Sequence, residues 1–354
     1  MAFNIVISLA GKSERFFNEG FTKPKYYLPM INGKTMIEMA VDSLNIPGKL
    51  YLILQKEHCE KYHIDISLQE KYPNAKLCYL DRYTDGSAES CYIATKEYID
   101  SDTPLVISNC DQTLEWDSAD FIHHTLDSDS DGCILTYYAN TTRNSYASIK
   151  EGTTRVLRTA EKEVISTHSL VGVHSWKKGS DFCRSVEHVL DKNIRANNEY
   201  YVSITYNTLI EQGKHIHIVP MKEDLGEKYW SVGTPQQYYD YLQCKFGSVK
   251  QSRIESMTRG WLIGDFTPSI LKTSQFEVGY LSHKKGEIWP AHVHNDANEY
   301  NVLIRGRMQV NNEIIEQGTI FIIQKGMLTK AVFFEDCEVL CIKCPSKPSD
   351  KYCY

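Results

Sequence analysis

Four short apolar runs constrain this chain more than anything else in it. They are "FNIVISLA" (3–10), "KLYLILQ" (49–55), "AKLCYL" (75–80) and "TPLVISN" (103–109). Each reads as a buried strand. Between the first two lies "KTMIEMAVDSLN" and between the last two "SAESCYIATKEYI", both with helical apolar spacing. Strands alternating with helices require crossover connections, so the first 115 residues predict a mainly parallel sheet covered on both faces. Such sheets bind ligands at the carboxyl ends of their strands, where the strand order reverses. Further on, "GCILTYYA", "SYASIK", "RVLRTAEK" and "SLVGVHSW" are more β-rich. Helical patterns return at 179–194 and 202–213, then "IHIVPM" and a last helix near "TPQQYYDYLQCKF".

The text changes at 246–257, "FGSVKQSRIESM", which is polar and without period. It predicts a linker between a domain at 1–245 and a second at 258–354, consistent with a length of 354 residues. Beyond it short strands and Gly-containing turns dominate, the pattern of a small antiparallel barrel or sandwich. A net charge of −6 argues against non-specific nucleic-acid binding. No stretch is long and apolar enough for a membrane span, and no signal-type n- and h-region is visible. The 11 cysteines form no even framework and are expected to be reduced thiols in a cytoplasm. Cys341-Ile-Lys-Cys344 has zinc spacing, but no second pair follows and it reads as the end of a packed strand.

The loop that leaves the first strand is "SLAGKSERFFNEGFTKPKYYLPMINGK" (8–34). Its cations, set directly after a buried strand, suit a polyphosphate. Gly11 would permit a tight turn and close approach of backbone N–H groups to phosphate. Arg15 and Lys25 would add charge-assisted hydrogen bonds.

This loop, "LAGKSERF…KPKYYLP", resembles the signature of the sugar-phosphate nucleotidyltransferases, a Gly-rich loop followed by Lys-Pro. The resemblance continues in order through "DGSAES" (85–90), "VISNCDQ" (106–112), "AEK" (160–162), "NNEYY" (197–201) and "WSVGTPQQY" (230–238). It implies a Rossmann-like mixed sheet and transfer of a nucleotidyl group from an NTP to a sugar or polyol phosphate, releasing pyrophosphate. By the same resemblance Arg15, Lys25 and Asp111 are the catalytic set, with Asp111 holding Mg²⁺. Leu9, Ala10, Gly11, Gly86 and Ser87 would contact the nucleotide. Glu161, Lys162 and Glu199 would face the sugar phosphate. The sequence departs from the pattern at Ser13, which replaces a glycine and keeps anion binding only if its φ stays negative. It departs again at Ser231, where the family has a second metal carboxylate; Asp224 and Glu227 are the nearest substitutes.

In the second domain, "GEIWPAHVHNDANEYNVLIRG" (286–306) fits the first motif of the cupins, with His292, His294 and Glu299 at the metal-ligand positions. The second motif is eroded: Gln324 stands for Pro, and Thr329 for the fourth ligand. A divalent metal here and a metal-free, vestigial or sugar-binding barrel are both open. The cupin is expected to bind or dimerise rather than to isomerise, with "YNVLI" and "GTIFII" as the faces that a homodimer would bury. The whole is expected to activate a sugar or polyol for surface polysaccharide. The rivals are a bifunctional nucleotidyltransferase/isomerase, a glycosyltransferase, and a catalytically silent nucleotide-sugar sensor.

Overall fold

The four apolar runs become parallel neighbours. β1 (Phe3–Ser8), β2 (Gly48–Gln55), β3 (Lys76–Leu80) and β4 (Leu105–Asn109) lie in the order β3-β2-β1-β4. The chain returns from β1 to β2 through the helix Met36–Leu44 and from β3 to β4 through the helix Ser87–Ile99. The first of these opens with a capping box: Glu38 accepts from the Thr35 amide at 2.6 Å while Thr35 Oγ1 accepts from the Glu38 amide.

The computed structural model describes residues 2–249 and 251–353. The chain divides into two units, Met1–Ser248 and Val249–Tyr354. Of the expected linker 246–257, Lys250 lies outside the described residues.

The first unit continues with β5 (Gln112–Glu115), β6 (Gly132–Tyr138), β7 (Ser145–Ile149), β8 (Val156–Glu161), β9 (His168–Trp176), β10 (Ile216–Pro220) and β11 (Lys228–Ser231). The sheet extends from β4 through β9 and β6 to β10. β9 is antiparallel to both its neighbours and β10 is parallel to β6, so the sheet is parallel-dominated and mixed. Apolar residues of the central strands alternate between two cores. Val6, Ile53 and Ile107 join one; Ile5, Leu52 and Val106 join the other. On the first face Trp176 stacks on Tyr206, with ring centroids 4.7 Å apart. Two connections leave this frame to build the site. β7 and β8 form a hairpin against β9, and β5 pairs with β11 as a separate antiparallel ribbon.

The second unit is antiparallel throughout its paired strands. β12 (Trp261–Ile263), β13 (Glu277–His283), β14 (His292–Val293), β15 (Asn298–Arg305), β16 (Arg307–Val310), β17 (Glu313–Glu316), β18 (Ile320–Ile323), β19 (Ala331–Phe333), β20 (Cys337–Cys344) and β21 (Tyr352–Cys353) form three sheets. These run β12-β13-β20-β15-β18, β17-β16-β19 and β14-β21. Leu303, Met308, Val310, Ile315, Phe333 and Val339 are its apolar core. Cys341 is buried inside β20, opposite Asn301 and Gly279, as a packed strand residue. Among the described residues no helix is long and apolar enough to cross a membrane.

Candidate active site

The parallel pairing of β1 and β4 sets Ser8 opposite Asn109, so the loop after β1 and the turn after β4 emerge side by side. The strand order reverses between these two, the place where open α/β sheets carry ligands. There Lys25 Nζ lies 2.6 Å from Asp111 Oδ2, both side chains about four-fifths buried. Burial opposes charge on each. The pair overcomes it: Lys25 and its hydrogen bond, with Arg15, hold the Asp111 carboxyl below its usual range, and Asp111 raises Lys25 above its own. The charge of Arg15 is felt at both.

Two expectations for the loop are corrected. Gly11 is not at positive φ, and a Cβ there would meet nothing within 4 Å; its use is open space, not a turn. The left-handed turn falls instead on Ser13, at φ 59°. The negative φ on which its anion-binding amide depended is not what the loop adopts. Left-handed backbone costs a non-glycine residue about 1 kcal/mol. The buried Ser13 hydroxyl offsets this by accepting from the Lys25 amide at 3.1 Å, and its carbonyl accepts from Phe16 and Phe17. Serine thus closes the loop on Lys25, which a glycine could not do. Leu9 and Ala10 are buried, and Gln55 Nε2 donates to the Ala10 carbonyl at 3.2 Å and to the Arg82 carbonyl at 3.3 Å.

The β5–β11 ribbon pairs Ser231 with Gln112 and brings the 230s against Asp111. The Val232 amide donates to the Asp111 carbonyl at 2.9 Å, and a Cβ on Gly233 would stand 2.5 Å from Asp111 Oδ2. Neither proposed substitute for the missing carboxylate reads as a metal ligand. Glu227 accepts from the backbone amides of Asp117 (3.1 Å) and Lys222 (2.7 Å), tying its own loop to the turn after β5. Asp224 is exposed on a short 3₁₀ turn, Glu223–Leu225. Of Asp111, Asp224 and Glu227, only Asp111 stands at the switch point as a carboxylate donor among the described residues. That fits Mg²⁺, which takes one or two carboxylates and completes its shell with substrate phosphates and water.

Gly86 precedes the helix Ser87–Ile99, as expected, but the space it leaves is filled by the backbone of Tyr200. A Cβ on Gly86 would lie 2.4 Å from the Tyr200 carbonyl oxygen. That carbonyl accepts from the Ala88 amide at 2.9 Å, and the Tyr200 amide donates to the Asp85 carbonyl at 2.8 Å. Ser87 Oγ accepts from the Val202 amide at 3.4 Å. Arg195 stacks on the Tyr200 ring and pairs with Asp85 at 3.0 Å. "DGSAES" and "NNEYY" are thus stitched into one wall.

Glu161 is held by Ser145, at 2.5 Å, and by the Ser203 hydroxyl; burial nevertheless raises its carboxyl. Lys162 turns outward, exposed, and donates to the Arg143 carbonyl at 2.5 Å. Glu199 is exposed. Tyr201 joins these pieces. Its phenol is pushed up to about 12 by burial, then by Glu199 and Glu161, while Arg15 pulls it down. The charges of Arg15, Glu161 and Glu199 are thus all felt at one phenol. The sequence reading missed Tyr201, Gln55, Arg195, Ser145 and Ser203. Only Gln55 left a signal, as the polar residue that closes "KLYLILQ" at its carboxyl edge.

In the second unit the three expected ligands meet only in part. His292 and His294 have ring centroids 5.3 Å apart, and His294 Nε2 is 3.1 Å from Glu299 Oε1. The other nitrogen of His294 is taken by the Asp350 carbonyl, and His292 Nδ1 lies 3.2 Å from the Pro290 carbonyl. Thr329 pairs through its backbone with His292. Among the described residues no group of three or more His, Cys, Asp or Glu side chains is arranged to hold a metal ion.

No protein-family model matches this sequence, and no curated protein does. Solved structures do. A nucleoside-diphosphate-sugar pyrophosphorylase from Vibrio cholerae matches with a TM-score of 0.57 at 24% identity, over 68% of this chain and 99% of that one. A putative glucose-1-phosphate thymidylyltransferase from Bacillus anthracis matches at 0.54 and 15%, over 72% and 98%. The inositol-1-phosphate CTP transferase from T. maritima matches at 0.53 and 10%, over 71% and 98%. At such identities the likeness is one of fold: a parallel-dominated α/β sheet shared with nucleotidyltransferases.

Proposed function

We propose that the first unit transfers a nucleotidyl group from an NTP to a sugar or polyol phosphate, giving an activated sugar for surface polysaccharide and pyrophosphate. The observation that carries this is the Lys25–Asp111 pair under a cationic loop at the β1/β4 switch point, with the charge of Arg15 felt at both. The descriptions of the neighbours, a pyrophosphorylase and two nucleotidyltransferases, support the same class.

The chemistry asks little covalent work of the protein. The acceptor phosphate attacks the α-phosphorus in line, and the residues must align two anions and neutralise the leaving pyrophosphate. Leu9, Ala10 and Gly11 line the nucleotide, and Gly86 and Ser87 stand beside its base. Arg15 takes the β- and γ-phosphates and Lys25 the α-phosphate. Asp111 would hold Mg²⁺ together with those phosphates; the bound ion spreads the charge that builds on them. Glu161, Glu199 and Tyr201 accept and orient the acceptor's hydroxyls, with Lys162 at the rim. We read the protein as residing in the cytoplasm.

The second unit serves as a binding and dimerising module. Tyr300, Ile322 and Ile342 lie in register on one face of its five-stranded sheet, all substantially exposed, and Ile320 beside them is 75% exposed on the edge strand β18. An apolar face ending in an open edge suits a twin, and two-fold dimers are the commonest oligomer. Ile322→Lys in the full chain should yield a monomer by light scattering; an unchanged mass would remove this face from the interface.

The deciding assay is pyrophosphate release from each of four NTPs with a panel of sugar and polyol phosphates. Release with one pair supports the proposal. Binding without turnover points to a nucleotide-sugar sensor. Conversion of a sugar phosphate to an isomer, abolished by His292→Ala, points to a second enzyme in the second unit.

A further inference from the structure

The loop after β1 has two faces, and the reaction uses only one. Lys25 pairs with Asp111, and the charge of Arg15 is felt at Asp111 and Tyr201. Lys12, Phe17 and Phe21, from the same loop, line a separate cleft of about 400 Å³. Its opposite wall is the helix Lys56–Tyr62, which contributes Glu57, His58, Lys61 and Tyr62; Tyr83 closes one end. The volume lies within the usual range for a small-molecule site.

The cleft's chemistry is specific. Lys12 Nζ lies 5.5 Å from the Tyr83 ring centroid and Lys61 Nζ lies 5.1 Å from that of Tyr62. Two ammonium groups are thus held over two half-buried rings; Lys12 also pairs with Glu14 at 3.5 Å, so two acids, Glu14 and Glu57, stand near them. Between them His58, only 4% exposed, bonds Tyr26 Oη at 2.7 Å through Nδ1 and Tyr83 Oη at 3.3 Å through Nε2. Tyr83 in turn donates to Glu57 at 3.3 Å. The set is self-consistent for a neutral ring with its proton on Nε2: Tyr26 donates to Nδ1, Nε2–H donates to Tyr83, and Tyr83 donates to Glu57. Burial lowers His58, which agrees. Tyr26 is fully buried and directly follows Lys25 in one 3₁₀ turn, Lys25–Tyr27. The back wall of the cleft is therefore one residue from the Lys25–Asp111 pair.

We propose that this cleft is a second ligand site, for a phosphate-bearing compound with a flat ring, of the nucleoside monophosphate class. Lys12 and Lys61 take the phosphate, the rings of Tyr62, Tyr83 and Phe21 take the base, and Glu57 accepts from hydroxyl or amino groups. Occupancy is coupled to the catalytic face because the loop 12–26 is the wall common to both. Any change in NTP affinity caused by this ligand must be matched by an equal change in its own affinity caused by NTP. The site stands on its own geometry; only the effect on turnover rests on the nucleotidyl-transfer reading.

The test is calorimetric titration of the full-length protein with each of the four ribonucleoside 5′-monophosphates, with inorganic phosphate as a control. At least one monophosphate should bind, and its affinity should fall about ten- to hundredfold in Lys61→Glu and in Tyr62→Leu. It should survive in Arg15→Ala and Asp111→Asn, and saturating NTP should leave the second site fillable. Loss of binding in Arg15→Ala with none in Lys61→Glu would put the monophosphate in the catalytic face and overturn the proposal. So would equal affinity for inorganic phosphate, or no binding of any of the four at millimolar concentration. A protein that binds through Lys61 yet releases no pyrophosphate would leave this site standing and the nucleotidyl-transfer reading fallen.

Discussion

Gly233→Ala is the sharpest probe of the candidate site, because the added methyl group would touch one functional atom and little else. Gly233 is not at positive φ, so its backbone accepts an L-residue. Its Cβ would lie 2.5 Å from Asp111 Oδ2, the same oxygen that stands 2.6 Å from Lys25 Nζ. That falls about 0.9 Å short of the 3.4 Å at which ordinary contact begins, so the carboxylate must swing away. The end of a short side chain moves at little cost, and thermal stability should change by less than about 1 kcal/mol. Turnover should not survive so well: a displacement near 1 Å in an aligned site costs on the order of a hundredfold. Pyrophosphate release with the productive substrate pair, measured beside a thermal melt, separates the two effects. If the methyl acts through Asp111, the double variant with Asp111→Asn should be no slower than Asp111→Asn alone. Full activity in a folded Gly233→Ala protein, or losses that multiply in the double variant, would refute the assignment of Asp111.

Three other outcomes follow from the same geometry. Arg15→Ala should slow turnover about 10–150-fold by removing a charge-assisted contact, with its melt unchanged; near-normal turnover would take Arg15 out of the phosphate loop. Gly86→Ala would drive a Cβ to 2.4 Å from the Tyr200 carbonyl at φ +149°, and should cost a few kcal/mol, read as a lowered denaturation midpoint; a neutral change would mean that the "DGSAES"–"NNEYY" stitch does not hold. His174 is buried with no partner at Nδ1 and depressed to about 3, so it stays neutral in the fold. Stability should be full above pH 6.5 and fall by up to roughly 4–5 kcal/mol as pH drops toward 3, where the unfolded chain alone binds the proton. Urea melts of His174→Phe should lose that acid limb, and an identical limb would place the titration elsewhere.

What the sequence revealed and what it hid divide along a physical line. The strands of the first unit announced themselves because a sheet buried on both faces needs continuous apolar runs, and "FNIVISLA" or "TPLVISN" can do little else. Asp111 and Lys25 could be paired only through the resemblance; no local rule joins residues 86 apart. What stayed hidden was chosen by tertiary contact. Gly86 looks like a helix-start glycine, but its missing Cβ makes room for Tyr200, 114 residues on. Ser13 looks like a poor glycine; its left-handed backbone is stabilised by a hydroxyl whose partner, the Lys25 amide, is invisible in the local sequence. Glu227 looks like a spare carboxylate, yet two backbone amides claim it. In the second unit the spacing of His292, His294 and Glu299 was right for bringing the side chains close, but said nothing of the Asp350 carbonyl that occupies a nitrogen of His294.

Serine at 231 alters the charge available at the switch point. The proposed phosphate side sets Arg15 and Lys25 against one carboxylate, where a second acid at 231 would bring it to balance. Two unit charges 4 Å apart interact by about 4 kcal/mol at an effective dielectric of 20, so the missing acid is a large change for an incoming polyphosphate. Lys25 is already engaged by Asp111, and the partner that holds the lysine is also the carboxylate proposed to meet a cation. In the proposed reaction Lys25 would serve the oxygens of the polyphosphate, and Asp111 would hold the ion that accompanies them. Each member of the pair would then keep an opposite charge beside it. The lone carboxylate is then consistent with a substrate-borne ion, and Ser231, paired across the ribbon from Gln112, serves the ribbon that presses Gly233 onto Asp111.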